Sequence, residues 1–445
     1  MVSGATFTSG RQESLWLRSQ EQPVFAQLSV NTSADVCVIG GGLAGLTTAY
    51  MLARDGLSVL VLEDGLIGSG ETGRTTAHLS NAIDDRYTEI ERLHGEQGAR
   101  LAAESHSAAI SRIEQIVREE QIACDFQRLD GYLILSPEHE ERLLIEEQAA
   151  AHRAGLTTVA LLKKPSLPHV HRPCLRFPQQ AQFHPLRYLA SLADAILERG
   201  GQIYTQTHAS DIEDGAPARV KTASGLTVES SSIVVATNTP INDRVAIHTK
   251  QAAYRTYVVG CLIPRDSVPL GLYWDTSDPY HYVRLQPYTE REDVLIIGGE
   301  DHKTGQADET DQYRRLIEWS QGWFPMAKTA IFQWSGQIME SIDGLGFIGR
   351  NPGDDNVYII TGDSGMGMTH GTIAGMLLTD LIAGRSNPWV ELYDPARIRL
   401  RAASEFAREN VNVAGQYMKW IKPGEVERFE DVLPGQGAIV SKGIT

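Results

Sequence analysis

A chain of 445 residues can bury a core for two domains or two interleaved lobes, which excludes a small binding module. Its formal net charge of −16 argues against nucleic acid or an anionic membrane as a partner and carries no information about the substrate. The four cysteines, Cys37, Cys124, Cys174 and Cys261, are widely spaced without Cys-x-x-Cys or Cys/His metal spacing, so they read as buried thiols of a reducing compartment, with no metal expected.

Residues 1–33 are polar, with Trp16, Pro23 and Phe25 as anchors of an irregular arm to which no chemistry is assigned. No basic segment leads into an apolar run, so the cytoplasm is the expected compartment. The stretch from Ala34 to Glu63 then organises the chain: a β-branched run, Gly40-Gly41-Gly42-Leu43-Ala44-Gly45, an amphipathic segment, and a second β-branched run ending in an acid. It reads as strand, glycine turn, helix and strand. Gly40 permits the tight turn, Gly42 lets backbone approach a pyrophosphate, and Gly45 lets the helix pack on the strand with its amides toward the phosphates. Glu63 stands at the distance expected of a ribose 2′-hydroxyl acceptor, which disfavours a 2′-phosphorylated ribose. Val36 to Ala53 carries no charge, yet its glycines and its change of period argue for a buried βαβ unit rather than a membrane span.

The run from Gly65 to His78 is rich in glycine and hydroxyl side chains and too long for a simple turn; it reads as a second ligand-cradling loop through Thr72, Gly73, Arg74, Thr75 and Thr76, or else as a solvated loop. From Asp84 to about Gln121, recurring Leu, Ala and Ile predict helices packed on a sheet. A strand follows at 132–135, a charged helix over 137–154, and a helix from Phe183 to Arg199 closed by Gly200 and Gly201. The run Ser232 to Pro240 is a buried strand ending in a small polar turn, with Ala236 and Thr237 returning toward the nucleotide. Between 250 and 340 aromatic residues rise and alternation replaces helical period, predicting a more antiparallel sheet that forms a substrate lobe. Gly298 to Gly305 places charged side chains after an apolar strand, which reads as site-lining or as a solvated turn. The segment Gly362-Asp363-Ser364-Gly365-Met366-Gly367-Met368-Thr369 opens a helix whose N-terminal amides suit an anion. Residues from about 396 are expected to form a terminal helix and a Pro- and Gly-punctuated tail.

In this order, Gly40, Gly42, Gly45, Glu63 and the 362–369 segment resemble the FAD-dependent oxidoreductases of the D-amino acid oxidase and glycine oxidase group. The runs 70–78, 298–305 and 362–371 are similar, more narrowly, to a subgroup fused to a C-terminal Rieske iron–sulfur domain. The sequence departs from that subgroup, because it has no Cys-x-His or Cys-x-x-His pair to hold a cluster.

The resemblance implies an α/β fold in which a Rossmann-like FAD-binding domain of glutathione-reductase type is interleaved with a β-rich α+β substrate domain. The boundaries expected are 34–120, 170–248 and 340–395 for the first and 121–169 and 249–339 for the second, with an arm at 1–33 and a tail at 396–445. It implies FAD as cofactor, held by Gly40, Gly42, Leu43, Ala44 and Gly45 of the turn, Glu63, residues 72–76, Ala236, Thr237, Gly336, Gly362 and Gly365, Met366, Gly367, Met368 and Thr369. It also implies hydride abstraction from the carbon next to an amine or amino acid nitrogen, with oxygen or an iron–sulfur or quinone partner as acceptor. Lys303 takes the place of an oxygen-activating lysine near flavin N5, or else is a surface lysine. Arg255 and Arg284 are the candidates to hold a substrate carboxylate, Tyr254, Tyr257 and Tyr282 to wall the pocket, and His78 to link the flavin covalently. A flavin monooxygenase, or an electron-transfer flavoprotein serving a Rieske-type partner, are the alternatives.

Overall fold

In a computed structural model, residues 12–242, 247–304 and 309–397 are described. The opening unit folds as a strand Thr32–Ile39, a helix Leu43–Arg54 and a strand Val59–Leu62. The first strand pairs in parallel on both sides, with Val38 beside Val61 on one flank and beside Val234 of the Thr227–Val235 strand on the other. The sheet extends through parallel Gln202–Tyr204 at one end and parallel Val357–Thr361 followed by antiparallel Phe347–Arg350 at the other. Central strands of such a sheet are buried on both faces, which is why their sequences are continuously apolar rather than alternating. On one face Val36 and Val38 pack under the helices Leu43–Arg54, Pro185–Glu198 and Gly367–Ile382. On the other, Cys37 and Ile39 meet the antiparallel strands Ala209–Glu213 and Ala218–Thr222. Helical layer, parallel sheet and β-meander together make the glutathione-reductase type of nucleotide domain.

The second sheet is mainly antiparallel and runs from Ala330–Ser341 through Gln251–Pro264, Glu292–Lys303, His281–Pro287 and Leu272–Asp275 to Gln127–Ile134. Alternation divides its faces. Tyr257, Val259 and Cys261 pack with Tyr313 and Leu316 of the helix Glu309–Trp323, while Val258 faces the main core. The sheet also takes Cys174–Gln182 and His78–Leu79, which the expected boundaries put with the nucleotide domain. Pairing of Leu175 with Leu133 closes an edge that the Gln127–Ile134 strand would otherwise expose. The chain therefore enters the second sheet at His78–Leu79, returns at the helix Pro185–Glu198, and crosses again between Val235 and Gln251 and between Ser341 and Phe347.

The helices expected between 84 and 121 form one run, Arg86–Glu119, bent where Gly95 adopts φ +75°. The four cysteines are buried free thiols. Among the described residues no helix is long and apolar enough to cross a membrane, and no cluster of His, Cys, Asp or Glu could hold a metal ion. The terminal helix expected from residue 396 lies, beyond residue 397, outside the described residues.

Candidate active site

The glycine turn is shaped by contacts that a side chain would break. Gly40 has φ +114°, and a Cβ there would lie 2.4 Å from the Ala236 carbonyl oxygen. A Cβ on Gly45 would lie 1.9 Å from the Gly40 carbonyl oxygen, so helix and strand touch backbone to backbone. Gly42 is the N-cap of the helix and contributes no side-chain cap bond. Glu63 ends the next strand and accepts hydrogen bonds from Gly41 N (2.5 Å) and Gly65 N (2.7 Å). Burial raises its carboxyl above the usual range against the lowering effect of those amides.

The second loop is clasped to this turn. Leu43 N donates to Thr72 Oγ1 (3.0 Å) and Gly68 N donates to the Gly41 carbonyl (3.0 Å). Three other parts of the chain hold it from behind. The arm supplies Ser14 Oγ to the Gly73 carbonyl (2.5 Å) and Trp16 Nε1 to the Thr75 carbonyl (2.6 Å), so its fully buried tryptophan supports the site, a role the sequence did not reveal. The second sheet supplies Trp334 Nε1 to the Arg74 carbonyl (2.7 Å), and Gln337 N donates to Glu71 (2.7 Å). Arg284, fully buried, donates to the carbonyls of Thr76, Ala77 and Phe183 at 2.9–3.2 Å.

Turn, loop and second sheet enclose a cavity of about 590 Å³ that reaches from the nucleotide domain to the aromatic face of the other sheet. Its wall includes Gly40, Gly42, Leu43, Ala44, Glu63, Thr72, Arg74, Thr75 and Thr76. Ala236, Thr237, Gly336, Gly362 and the run Gly365, Met366, Gly367, Met368 and Thr369 complete that side. Gly45 and Gly73 act from behind it, through the contacts above. The far wall carries Thr256, Trp274, Tyr280 and Tyr282, with Asp84 and Asp363 beside them. Tyr282 Oη and Thr256 Oγ1 are 2.6 Å apart, and burial holds the phenol neutral well above its ordinary value. A neutral Tyr282 can donate or accept a hydrogen bond but cannot serve as a base near pH 7.

The expected substrate-side cations do not reach this wall. Arg255 bonds Ser335 Oγ (2.8 Å) from the opposite face of its strand, because side chains alternate and Thr256 is the neighbour turned to the cavity. Arg284 is spent on backbone carbonyls, and burial pulls its guanidinium down to about 9. Lys303 ends its strand opposite Tyr254, with Nζ 5.9 Å from the ring centroid, and neither residue lines the cavity. Tyr257 packs against Tyr313 on the far face. His78 does line the cavity, its Nδ1 3.0 Å from Thr76 Oγ1, and burial lowers it to about 3.

The charged run after Gly299 also serves the scaffold. Glu300 adopts φ +56° at an irregularity in strand pairing and turns toward His281 Nε2 (3.2 Å), whose Nδ1 is 2.9 Å from Asp275. Burial opposes charge on His281, but the bonds to Asp275 and Glu300 outweigh it and raise the ring to about 9. A histidine raised from its ordinary value stabilises the fold fully below about pH 6.5, and that contribution is lost as pH rises through about 9. The melting temperature is therefore expected to fall between pH 7 and 9.5, and to fall less steeply in His281→Gln. Parallel slopes for the two proteins would show that the ring is not charged in the fold.

Asp84, Trp274 and Tyr280 on the cavity wall are not among the expected site residues, and Asp363 is named there only as part of the 362–369 segment. Tyr280 directly precedes the strand His281–Pro287, and its spacing of two from Tyr282 is the signal that would have found the second tyrosine.

A profile of the FAD dependent oxidoreductase family matches residues 35–381. The protein YhfW of Bacillus subtilis, provisionally named a Rieske 2Fe-2S iron–sulfur protein, is 32% identical over 446 aligned residues, covering 98% of this chain and 86% of that one. The gamma-glutamylputrescine oxidoreductase of Escherichia coli is 28% identical, covering 81% of this chain and 86% of that one. Among solved structures, glycine oxidase from Geobacillus kaustophilus superposes with a TM-score of 0.69 at 19% identity, over 82% of this chain and 99% of that chain. The glycine turn, Glu63 at the next strand end and the long cavity beside them fit FAD, and the family match over residues 35–381 shows that the chain belongs to the FAD-dependent oxidoreductases of the D-amino acid oxidase family.

Proposed function

We propose that this FAD-dependent oxidoreductase oxidises an amine at the carbon next to nitrogen. The observation that carries the reading is the continuous cavity joining the nucleotide turn to the wall formed by Thr256, Trp274, Tyr280 and Tyr282. Bound FAD supplies the two-electron acceptor. The chain's part is to hold the substrate between the tyrosine wall and the 362–369 segment and to limit water there. The substrate loses a C–H hydrogen with both bonding electrons and a proton from nitrogen, forming C=N, and water then releases a carbonyl compound and the free amine. The residues proposed to hold FAD are Gly40, Gly42, Leu43, Ala44 and Gly45 of the turn, Glu63, the 72–76 loop, Ala236, Thr237, Gly336, Gly362 and residues 365–369.

Anaerobic mixing of the purified holoprotein with amines, amino acids and hydroxy acids tests the reading. Amines or amino acids are expected to bleach the flavin absorption. Bleaching by hydroxy acids alone would overturn the proposal. The electron acceptor is proposed to be oxygen or an iron–sulfur or quinone partner, and peroxide release under air separates them. Because Lys303 stands off the cavity wall, Lys303→Met is expected to leave reduction and reoxidation rates within about twofold of wild type. A loss of about a hundredfold in reoxidation alone would place that ammonium at the flavin after all.

A further inference from the structure

The substrate end of the cavity is ringed by carboxylates rather than by cations. Asp84 and Asp363 stand on the wall. Glu340 follows wall residue Ile338 by two positions and so shares its face of the sheet, and Asp301 sits behind Thr256. Among the described residues none of these four makes an ion pair. The Oδ1 atoms of Asp301 and Asp363 are buried without any hydrogen-bond partner. Tyr280 Oη donates to Asp84 Oδ2 (2.9 Å), and its ring leans on Tyr282 with centroids 5.4 Å apart. The loop that follows closes around these oxygens. A Cβ on Gly365 would lie 2.1 Å from Asp84 Oδ2, and one on Gly367 would lie 2.6 Å from Asp363 Oδ2.

The carboxylates also disturb one another. Burial first, and then mutual repulsion, raise Asp84 to about 7 and Glu340 well above its ordinary value, although Asp84 is open to the cavity. Asp301 and Asp363 are likewise pushed up to about 7, mainly by burial. Arg74 is the one Lys or Arg on the wall among the described residues, and its Nη1 donates to the Gln12 carbonyl (3.0 Å) on the arm side. A substrate carboxylate placed beside Asp84 and Asp363 would add a further like charge, whereas an ammonium would meet carboxylates without a cationic partner and tyrosine faces.

We infer that the substrate is an aliphatic diamine or polyamine whose reacting carbon bears no carboxylate, with Asp84 and Asp363 receiving its ammonium groups. The inference rests on the amine-oxidation reading above and sharpens it. It follows that Asp84 and Asp363 are binding residues that exclude α-amino acids.

The test compares 1,5-diaminopentane with L- and D-lysine, which differ from it by the carboxylate alone, as anaerobic reductants of the holoprotein. The diamine is expected to reduce the flavin with a second-order rate constant at least about 100-fold higher. Equal or faster reduction by either lysine would overturn the inference and leave amine oxidation standing, while failure of all amines and amino acids would overturn both. Asp84→Asn and Asp363→Asn are each expected to raise KM for the diamine about tenfold or more, with a smaller change in kcat. A binding readout is independent of turnover: the diamine is expected to raise the melting temperature of wild type and to do so less in either variant. Should one variant fail to fold, the other and Glu340→Gln decide, and an unchanged KM and thermal shift in the folded variants would overturn the assignment.

Discussion

Gly45→Val is expected to purify without flavin. The Cβ alone would sit 1.9 Å from the Gly40 carbonyl oxygen and 3.0 Å from its carbonyl carbon, and both contacts are backbone, which no rotamer change can relieve. The Leu43–Arg54 helix would have to move off the Thr32–Ile39 strand, carrying the N-terminal amides away from the place where the phosphates are proposed to sit. The expected readout is loss of visible absorption at the purified stage and failure to regain it on incubation with FAD. Gly42→Ala distinguishes cofactor binding from folding. Its Cβ would meet just Thr72 Oγ1, at 3.1 Å, so the fold is expected to survive while the close approach to a pyrophosphate is lost. An FAD affinity reduced by about tenfold or more, with an unchanged circular dichroism spectrum, is the expected result. If both variants retained stoichiometric flavin at wild-type affinity, the turn would not be the pyrophosphate site.

The second large effect is expected at Arg284. Its guanidinium joins three backbone carbonyls and Gln286, lies under the Trp16 ring at 5.2 Å, and reaches Asp125 only through Gln286. Arg284→Met would leave these buried acceptors without donors while preserving most of the side-chain volume, at a cost of about 3–5 kcal/mol. Because Thr76 and Ala77 belong to the second cradle loop, weaker flavin retention is expected to accompany the lower urea midpoint. Arg284→Lys keeps the charge but not the planar fork, and is expected to recover little of the loss. A carboxylate-binding arginine would behave differently: the Met variant would fold normally and lose affinity for amino acids alone. That outcome would return Arg284 to the substrate site.

Both expectations concern residues named from the sequence, yet the two were legible to different degrees. Gly45 could be placed because its neighbours in space are its neighbours in the chain: the turn, the strand before it and the helix after it form one local unit. The same holds for Glu63 at the end of the next strand and for the helix start at Gly367. Arg284 could be identified only as a cation on a strand of the second lobe. Its acceptors, at residues 76, 77 and 183, lie on segments far from it in sequence, and nothing local announces them. Arg255 shows a second limit. Period-two alternation fixes which residues share a face, but the sequence does not say which face meets the cofactor, and the pairing irregularity between Arg255 and Tyr257 shifts the register near the site. The run at 298–305 shows a third, since charge after a buried strand suggested a site wall while Glu300 is committed to His281 and Arg315.

The sequence by itself determined the nucleotide turn, its acid, the parallel sheet around it and the β-rich second lobe. These follow from local backbone sterics and from hydrophobic period, both carried by residues close together in the chain. The tertiary structure alone decided the chemistry of the cavity's far wall, the proposed substrate end. Asp84 leaves a helix entry, Asp363 a strand end, and Tyr280, Tyr282 and Glu340 the other sheet, so their shared surroundings arise from the closure of two lobes. Electrostatic interaction depends on distance through space, and that distance is set by packing rather than by position along the chain.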